Sequence, residues 1–262
     1  MSDGFVELQP SAIREPEYWA DSRSPLASLF FLLPWLAVYE VGIWLAGQPN
    51  SDTVRNGADF WMRSALVSAG AGQLLLPLLV LAALLIWHVA GRHPWRIRAE
   101  TQLGMLAESL LLAVGLIALG RLHQMLFDLR GTTGSGTLSI MTPSAVRAVT
   151  YVGAGVYEEV LFRLCLIPAA CLIFRTLEFP RRLAALMAAL MTSFLFAIAH
   201  HVGPSADAFS LFSFSFRAAA GLFFAGVFLL RGFGITVGCH AAYDLLVGVL
   251  LASPGSLPGE HS

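Results

Sequence analysis

Two adjacent glutamates and an arginine lie inside an otherwise hydrophobic segment of the chain, and they constrain its fold more than any other feature. Ionisable side chains are costly at bilayer depth and usually have a function there. Successive residues of a helix turn by about 100°, so Arg163 lies roughly 40° from Glu159 and roughly 140° from Glu158. The spacing therefore predicts a Glu159–Arg163 ion pair and leaves Glu158 as the free carboxylate.

The neighbour of Glu158 on its own helix face is Phe162, four residues later. A carboxylate beside an apolar side chain in a poorly hydrated site is suited to general acid/base catalysis near neutral pH. The alternative interpretation is structural. In that case the ion pair of Glu159 and Arg163 holds helices together, and Glu158 faces a wet cavity.

The composition indicates a membrane protein. Of the 262 residues, 56% are hydrophobic and 13% are charged, which is far from the composition of a soluble domain. The formal net charge is −1, so we expect no nucleic-acid partner. Arginines are concentrated in the N-terminal leader and in the loops on one side of the predicted bundle. The positive-inside rule then places the N-terminus in the cytosol.

Seven apolar segments predict an all-α fold, a polytopic helical bundle with about seven transmembrane helices in the lipid bilayer. The segments are residues 25–45, 73–89, 103–119, 144–177, 183–200, 210–230 and 239–251. Residues 48–70 mix acidic, basic and apolar positions, which is typical of an amphipathic helix at the membrane interface.

Two further segments carry histidines at helical spacing. Phe196 and His200 are four residues apart at the end of the fifth segment, and His240 and Asp244 are four apart at the start of the seventh. Residues four apart share a helix face. The second pair could ligate a metal jointly, or its carboxylate could orient its imidazole. The structural alternatives are an interfacial histidine and a polar cap at a helix start.

Together the three motifs resemble the CPBP family of intramembrane proteases, which comprises CAAX proteases and bacteriocin-processing enzymes and is also called the Abi family. Its pattern is EExxxR, then FxxxH, then HxxxN or HxxxD. Here these positions are Glu158-Glu159-Arg163, Phe196-His200 and His240-Asp244. The resemblance covers roughly residues 145–251 and implies a catalytic helical core over 144–253. The apolar pattern predicts an N-terminal leader with three transmembrane helices over residues 1–143 and a short polar tail over 254–262.

The resemblance also implies a function. The chain would be an endopeptidase of the bacterial inner (plasma) membrane that hydrolyses a peptide bond of a membrane-associated protein or propeptide. Glu158 and His200 would activate the hydrolytic water, and His240 and Asp244 would stabilise the oxyanion. Three residues would support the site: Glu159, Arg163 and Phe196.

The cofactor stays open between none and a divalent cation such as zinc, because the family is described both as zinc-dependent and as glutamic proteases. Glu158, His200 and His240 would hold a metal. Asp244 stands where many family members have asparagine, and an ionised aspartate would repel an oxyanion. It must therefore be protonated, bind a cation or orient His240, and we favour the orienting role.

Straight helices that start at one membrane face would keep the two histidines apart. At a rise of 1.5 Å per residue, His200 would lie about 25 Å from that face and His240 about 12 Å. An extended segment from Gly232 to Gly238 would carry His240 deeper, at about 3.3 Å per residue. We therefore expect this glycine-containing segment to be non-helical.

Two other functions stay open at this stage. A transporter or channel could use Glu158, Arg163, Arg217 and the histidines as a proton or ion path. Inverted repeats would favour that function, and we find none between the two halves of the sequence. A non-catalytic immunity or scaffold protein could have the same fold, although the intact set of one glutamate and two histidines favours an enzyme.

Overall fold

The protein is described by a computed structural model over residues 17–45, 55–129, 144–203 and 206–251. Within these ranges all regular secondary structure is helical, which confirms the all-α prediction. The α-helices are α1 (Glu17–Ser22), α2 (Pro25–Leu45), α3 (Gly57–Ser68), α4 (Leu75–Ala90), α5 (Ala99–Asp128), α6 (Ser144–Glu159), α7 (Ile167–Thr176), α8 (Arg181–Ala199), α9 (Leu211–Arg231) and α10 (Phe233–Leu245). Two π-helical turns follow α6 and α10, at Val160–Leu166 and Leu246–Leu250.

Five of the described helices are long and apolar enough to cross a membrane: α2, α5, α8, α9 and α10 with its π-helical extension. Helix α4 is apolar but has 16 residues. At 1.5 Å per residue it spans about 24 Å, which is less than the roughly 30 Å hydrocarbon layer. The polytopic helical bundle is confirmed, whereas the number of seven spanning helices is not. The predicted division at residue 143 and the predicted leader and tail boundaries fall largely outside the described residues.

Helix α10 occupies the centre of the bundle. Its first ten residues, Phe233–Ala242, are all buried, and the helix packs against α2, α5 and α6. Helices from both halves of the sequence therefore form one bundle around α10. A central helix needs apolar or small residues on every side, and the sequence from Phe233 to Ala242 supplies them at every position except His240.

The prediction of a non-helical segment from Gly232 to Gly238 is wrong. Only Gly232 leaves the helix, with φ at +90°, where α9 turns into α10. The glycine at 238 serves close packing instead, because a Cβ there would lie 2.5 Å from Oγ of Ser109. Small residues at helix contacts let backbones approach closely in membrane bundles.

Helix α6 lies unusually close to α10 at a second glycine. A Cβ on Gly155 would lie 2.6 Å from the backbone nitrogen of Ala241. The missing side chain lets the two backbones come together one turn before the paired acids. Glu158 and Glu159 are thereby presented to the centre of the bundle.

A buried polar network joins the N-terminal helices to α6. Arg63 donates from Nε to Asp59 Oδ1 and from Nη2 to Glu40 Oε1, both at 2.5 Å. The hydroxyl of Tyr157, beside the paired acids, donates to the same oxygen of Glu40. Asp59 and Arg63 are buried, so the charges predicted at a membrane interface lie inside the bundle, where they neutralise one another.

We expect Gly155→Ala to destabilise the protein, because the added methyl group meets backbone atoms that cannot move aside. Overpacking of this kind costs typically about 1–3 kcal/mol. The matched control is Gly115→Ala in α5, where a Cβ meets no atom within 4 Å and alanine favours the helix. Thermal unfolding in detergent measures both. Equal melting temperatures for the two variants would contradict close packing of α6 on α10.

Candidate active site

The predicted ion pair between Arg163 and Glu159 is present, and it is buried. Nη1 of Arg163 lies 3.0 Å from Oε1 of Glu159, and the side chains are 1% and 0% exposed. Nη2 donates to the backbone oxygen of Gly221 in α9, also at 3.0 Å. The guanidinium lies over the rings of Phe196 and Phe224, 4.7 and 5.4 Å from their centroids. Arg163 therefore joins three helices around one carboxylate.

The helix widens directly after the paired acids. The π-helical turn Val160–Leu166 begins after Glu159 and contains Arg163. Pro168 follows it, and proline has no N–H to donate to the carbonyl of Leu164 and crowds that carbonyl with its ring. A local π-helical turn relieves this conflict, and such turns occur frequently at functional sites.

His240 uses Glu159 as its hydrogen-bond acceptor. Its Nδ1 lies 2.7 Å from Oε1 of Glu159, the oxygen that also accepts from Arg163. Its ring stacks on Phe224, with centroids 4.4 Å apart. Asp244 Oδ2 is 3.5 Å from the other ring nitrogen, Nε2. Glu159 thus holds Nδ1 of His240 by a hydrogen bond that the sequence spacing alone does not connect to α10, and the orienting role of Asp244 stays a prediction.

His200 presents one free ring nitrogen to the site. Its Nδ1 lies 2.8 Å from the backbone oxygen of Phe196, and because a carbonyl can only accept, Nδ1 carries the proton. Nε2 then has its lone pair free in the neutral imidazole. The ring also packs edge-on against Phe196, with centroids 4.8 Å apart, as the shared helix face predicts.

Glu158 lies between the two histidines. Its Oε2 is buried and has no hydrogen-bond partner among the described residues. That oxygen is 3.9 Å from Nε2 of His200 and 3.8 Å from Nε2 of His240. The structure therefore brings together Glu158, His200, His240 and Asp244, the four residues that the sequence assigned to catalysis.

The histidines meet without an extended segment. Side chains of an α-helix tilt toward its N-terminus, and the hydrogen bond from His200 to Phe196 draws that imidazole back by one turn. One turn is about 5.4 Å and covers less than half of the roughly 13 Å difference between the counted depths, so the two helices cannot be straight and start at one common depth. His240, only seven residues into α10, is nevertheless within reach of the same carboxylate as His200.

The exposed fractions of the four side chains show on which side solvent reaches the cluster. The exposed fraction of the side chain is 5% for His240, 14% for Glu158, 20% for Asp244 and 26% for His200. Solvent and substrate therefore approach Glu158 past His200 and Asp244, the two most exposed side chains of the four. An open groove of about 380 Å³ at the end of α5 shares no residue with the cluster. If Glu158 activates water, a polar cavity inside the bundle must bring water to it, and that cavity is a prediction.

The arrangement does not fit a zinc site. Among the described residues, no group of three or more His, Cys, Asp or Glu side chains could hold a metal ion. Tetrahedral ligands about 2.0–2.1 Å from zinc lie roughly 3.3 Å apart, whereas Glu158 Oε2 is 3.9 and 3.8 Å from the two histidine nitrogens. We therefore derive no chemical step through a metal.

Sequence reasoning assigned no catalytic role to Tyr157 or Arg217, and Arg217 entered only the alternative of a proton or ion path. Tyr157 precedes Glu158 and is bonded to Glu40. Arg217 forms an ion pair with Asp207, whose backbone N–H donates to the backbone oxygen of His200. An arginine inside an apolar span was the available signal for Arg217, but nothing in the sequence indicated its partner.

We expect Arg163→Ala to destabilise the protein by about 3–5 kcal/mol, because it leaves Glu159 buried without a counter-ion. Adding Glu159→Gln should restore part of the loss, since the amide oxygen still accepts from His240. Arg175→Ala is the matched control, because Arg175 is an exposed arginine of the following helix. Thermal unfolding in detergent measures all three. A double variant no more stable than Arg163→Ala alone would show that the pair contributes nothing.

A comparison with known proteins agrees with the motifs. Residues 140–246 match a family model described as Rce1-like, type II CAAX prenyl endopeptidase Rce1-like. The match contains all three motifs and runs from four residues before α6 to the first residue of the π-helical turn after α10. No curated protein and no solved structure matches the chain. Residues 140–246 are thus similar to the Rce1-like type II CAAX prenyl endopeptidases, which is consistent with the CPBP family that the motifs resemble.

Proposed function

We propose that the chain is an intramembrane endopeptidase in which Glu158 and His200 activate a water molecule and His240 stabilises the oxyanion. One observation carries the proposal. Glu158 has a buried carboxylate oxygen without a hydrogen-bond partner among the described residues, and it faces one nitrogen of each histidine. The family match supports a membrane protease in general, and the roles of the individual residues are our inference.

The spacing of Glu158 and His200 suits one bridging water. The 3.9 Å between Oε2 and Nε2 is too long for a direct hydrogen bond, but a water about 2.8 Å from each would fit. Both atoms are acceptors, because Nδ1 of His200 carries that ring's proton. The water therefore donates one hydrogen to each group, and its lone pair is directed at the substrate.

The reaction then proceeds by direct attack of water. Its oxygen bonds to the scissile carbonyl carbon while Glu158 accepts its proton as general base. The carbonyl oxygen becomes an oxyanion, and the carbon–nitrogen bond breaks in the next step. Glu158 returns the proton to the leaving amine. The two products are a new carboxylate and a new amine.

In this mechanism His240 donates a hydrogen bond to the oxyanion. Its Nδ1–H is used by Glu159, so Nε2 can donate only when the ring is doubly protonated. Glu159, Glu158 and Asp244 each have a carboxylate oxygen within 4 Å of its nitrogens and supply compensating negative charge. A preorganised donor in a site that excludes water is worth far more than the same donor in solution.

The substrate of our proposal is a membrane-associated protein or propeptide. The family description names prenylated CAAX proteins, and their lipid anchor would hold the cleavage site near the bilayer. Comparative proteomics of membrane fractions from wild type and a Glu158→Ala strain would identify the precursor that accumulates. We further infer that residues 144–253 form the catalytic core and that the enzyme lies in a bacterial inner membrane with its N-terminus in the cytosol.

We expect Glu158→Gln to lower the rate of proteolysis by about 10²–10⁴-fold, because the amide keeps the shape of the side chain but cannot accept the proton of water. The accumulated precursor, incubated with purified enzyme, provides the assay. Glu100→Gln, at an exposed glutamate in the first turn of α5, is the matched control. Wild-type cleavage by Glu158→Gln would disprove the general-base role.

We expect Asp244→Asn to retain activity within a few-fold, because Glu159 holds Nδ1 of His240 by a hydrogen bond of its own. His240→Ala should lower the rate by about 10²–10³-fold through loss of the oxyanion donor. Rates are measured on the same precursor with and without a chelator. Inactive Asp244→Asn enzyme that recovers with added zinc would favour a metalloprotease instead.

A further inference from the structure

The guanidinium group of Arg217 has one terminal nitrogen in an ion pair and one without a partner within the described part of the chain. It lies in the membrane-spanning helix α9, where its Nη2 forms an ion pair with Asp207. Its Nη1 is buried and has no hydrogen-bond partner within the part of the chain that the structure describes. The proposed mechanism does not employ this arginine. A charged group at this depth, with an unpaired donor, indicates a binding function.

A backbone hydrogen bond connects the ion pair of Arg217 to the candidate active site. The backbone N–H of Asp207 donates to the backbone oxygen of His200 at 2.9 Å. A ligand of this guanidinium would therefore lie beside the opening through which a substrate reaches Glu158.

We propose that Arg217 binds a carboxylate of the substrate peptide and thereby positions the scissile bond over Glu158. The proposal rests on the endopeptidase function proposed above. A planar guanidinium binds a carboxylate best through two parallel N–H groups. In the free enzyme Asp207 takes one of the two, and its side chain is 59% exposed, so it can move into solvent when a substrate carboxylate replaces it.

The carboxylate could come from the free C-terminus of the peptide or from an acidic side chain near the cleavage site. Arg217 lies six residues into α9, about 9 Å along the helix from its first residue. A charged group can therefore reach it from the end of the helix without crossing the bilayer. The recognition chemistry is the same for both sources, and only the position of the charge on the peptide separates them.

The test measures kcat and KM of the purified enzyme in vesicles with a fluorogenic peptide that has a farnesylated cysteine three residues before a free C-terminal carboxylate. A second peptide has a C-terminal amide, and a third has the amide plus a glutamate next to it. Wild type should cleave one of the two carboxylate-bearing peptides about 10–100-fold more efficiently than the uncharged amide. Arg217→Gln should abolish this preference and raise KM for the favoured peptide.

The variant Asp207→Asn separates binding from a structural ion pair. Removing the competing carboxylate should lower KM for the favoured peptide, which is opposite to the effect of Arg217→Gln. The matched control is Arg147→Gln, at another partly buried arginine with an unpaired nitrogen, in α6. It should keep the preference for the charged peptide.

Several results would overturn the proposal. Equal cleavage of all three peptides by wild type would show that no carboxylate is recognised. Parallel losses in Asp207→Asn and Arg217→Gln, the same for every peptide, would assign the pair a structural role. An Arg217→Gln defect confined to vesicles of anionic lipid would indicate a lipid phosphate. If wild type cleaves none of the peptides but cleaves the precursor that accumulates in the Glu158→Ala strain, carboxylate recognition fails while the endopeptidase function stands. If it cleaves neither, both proposals fail.

Discussion

One carboxylate oxygen of Glu159 connects helices of this bundle through the hydrogen bonds that it accepts. Oε1 accepts from Arg163 and from His240, in a place where neither the acid nor the arginine contacts solvent. A buried carboxylate is tolerated only when cations and hydrogen bonds surround it, so the three groups must stay together for the chain to fold. Because Arg163 also bonds Gly221, this single oxygen couples α6, α9 and α10. Catalytic geometry and stability consequently depend on the same contact.

The two adjacent acids have different environments because of helix geometry. Glu159 points toward cations and is neutralised, while Glu158, about 100° around the helix, faces the two imidazole nitrogens without a hydrogen-bond partner among the described residues. In each histidine Nδ1 is used in a hydrogen bond, by His200 to a backbone carbonyl and by His240 to Glu159. Both rings therefore direct Nε2 to Oε2 of Glu158. Fixing one ring nitrogen selects the function of the other.

Local spacing predicted the pairs that lie within one helix. The Glu159–Arg163 ion pair and the packing of Phe196 on His200 both follow from a separation of four residues. Contacts between helices could not be derived in this way. The His240–Glu159 hydrogen bond spans 81 residues, and spacing favoured the nearer Asp244. Glycines were ambiguous too, because they permit either extended backbone or close helix packing, and Gly238 serves the second.

The geometry around Glu158 is open to direct observation. A crystal structure of the purified protein in a lipid mesophase, at a resolution that shows ordered water, would locate the atoms on which the chemistry depends. We expect one water about 3 Å from both Oε2 of Glu158 and Nε2 of His200, with Nε2 of His240 facing the same space. A Glu158 side chain that is turned away from both histidines, or hydrogen-bonded to another residue of the bundle, would contradict its role as the group that activates water.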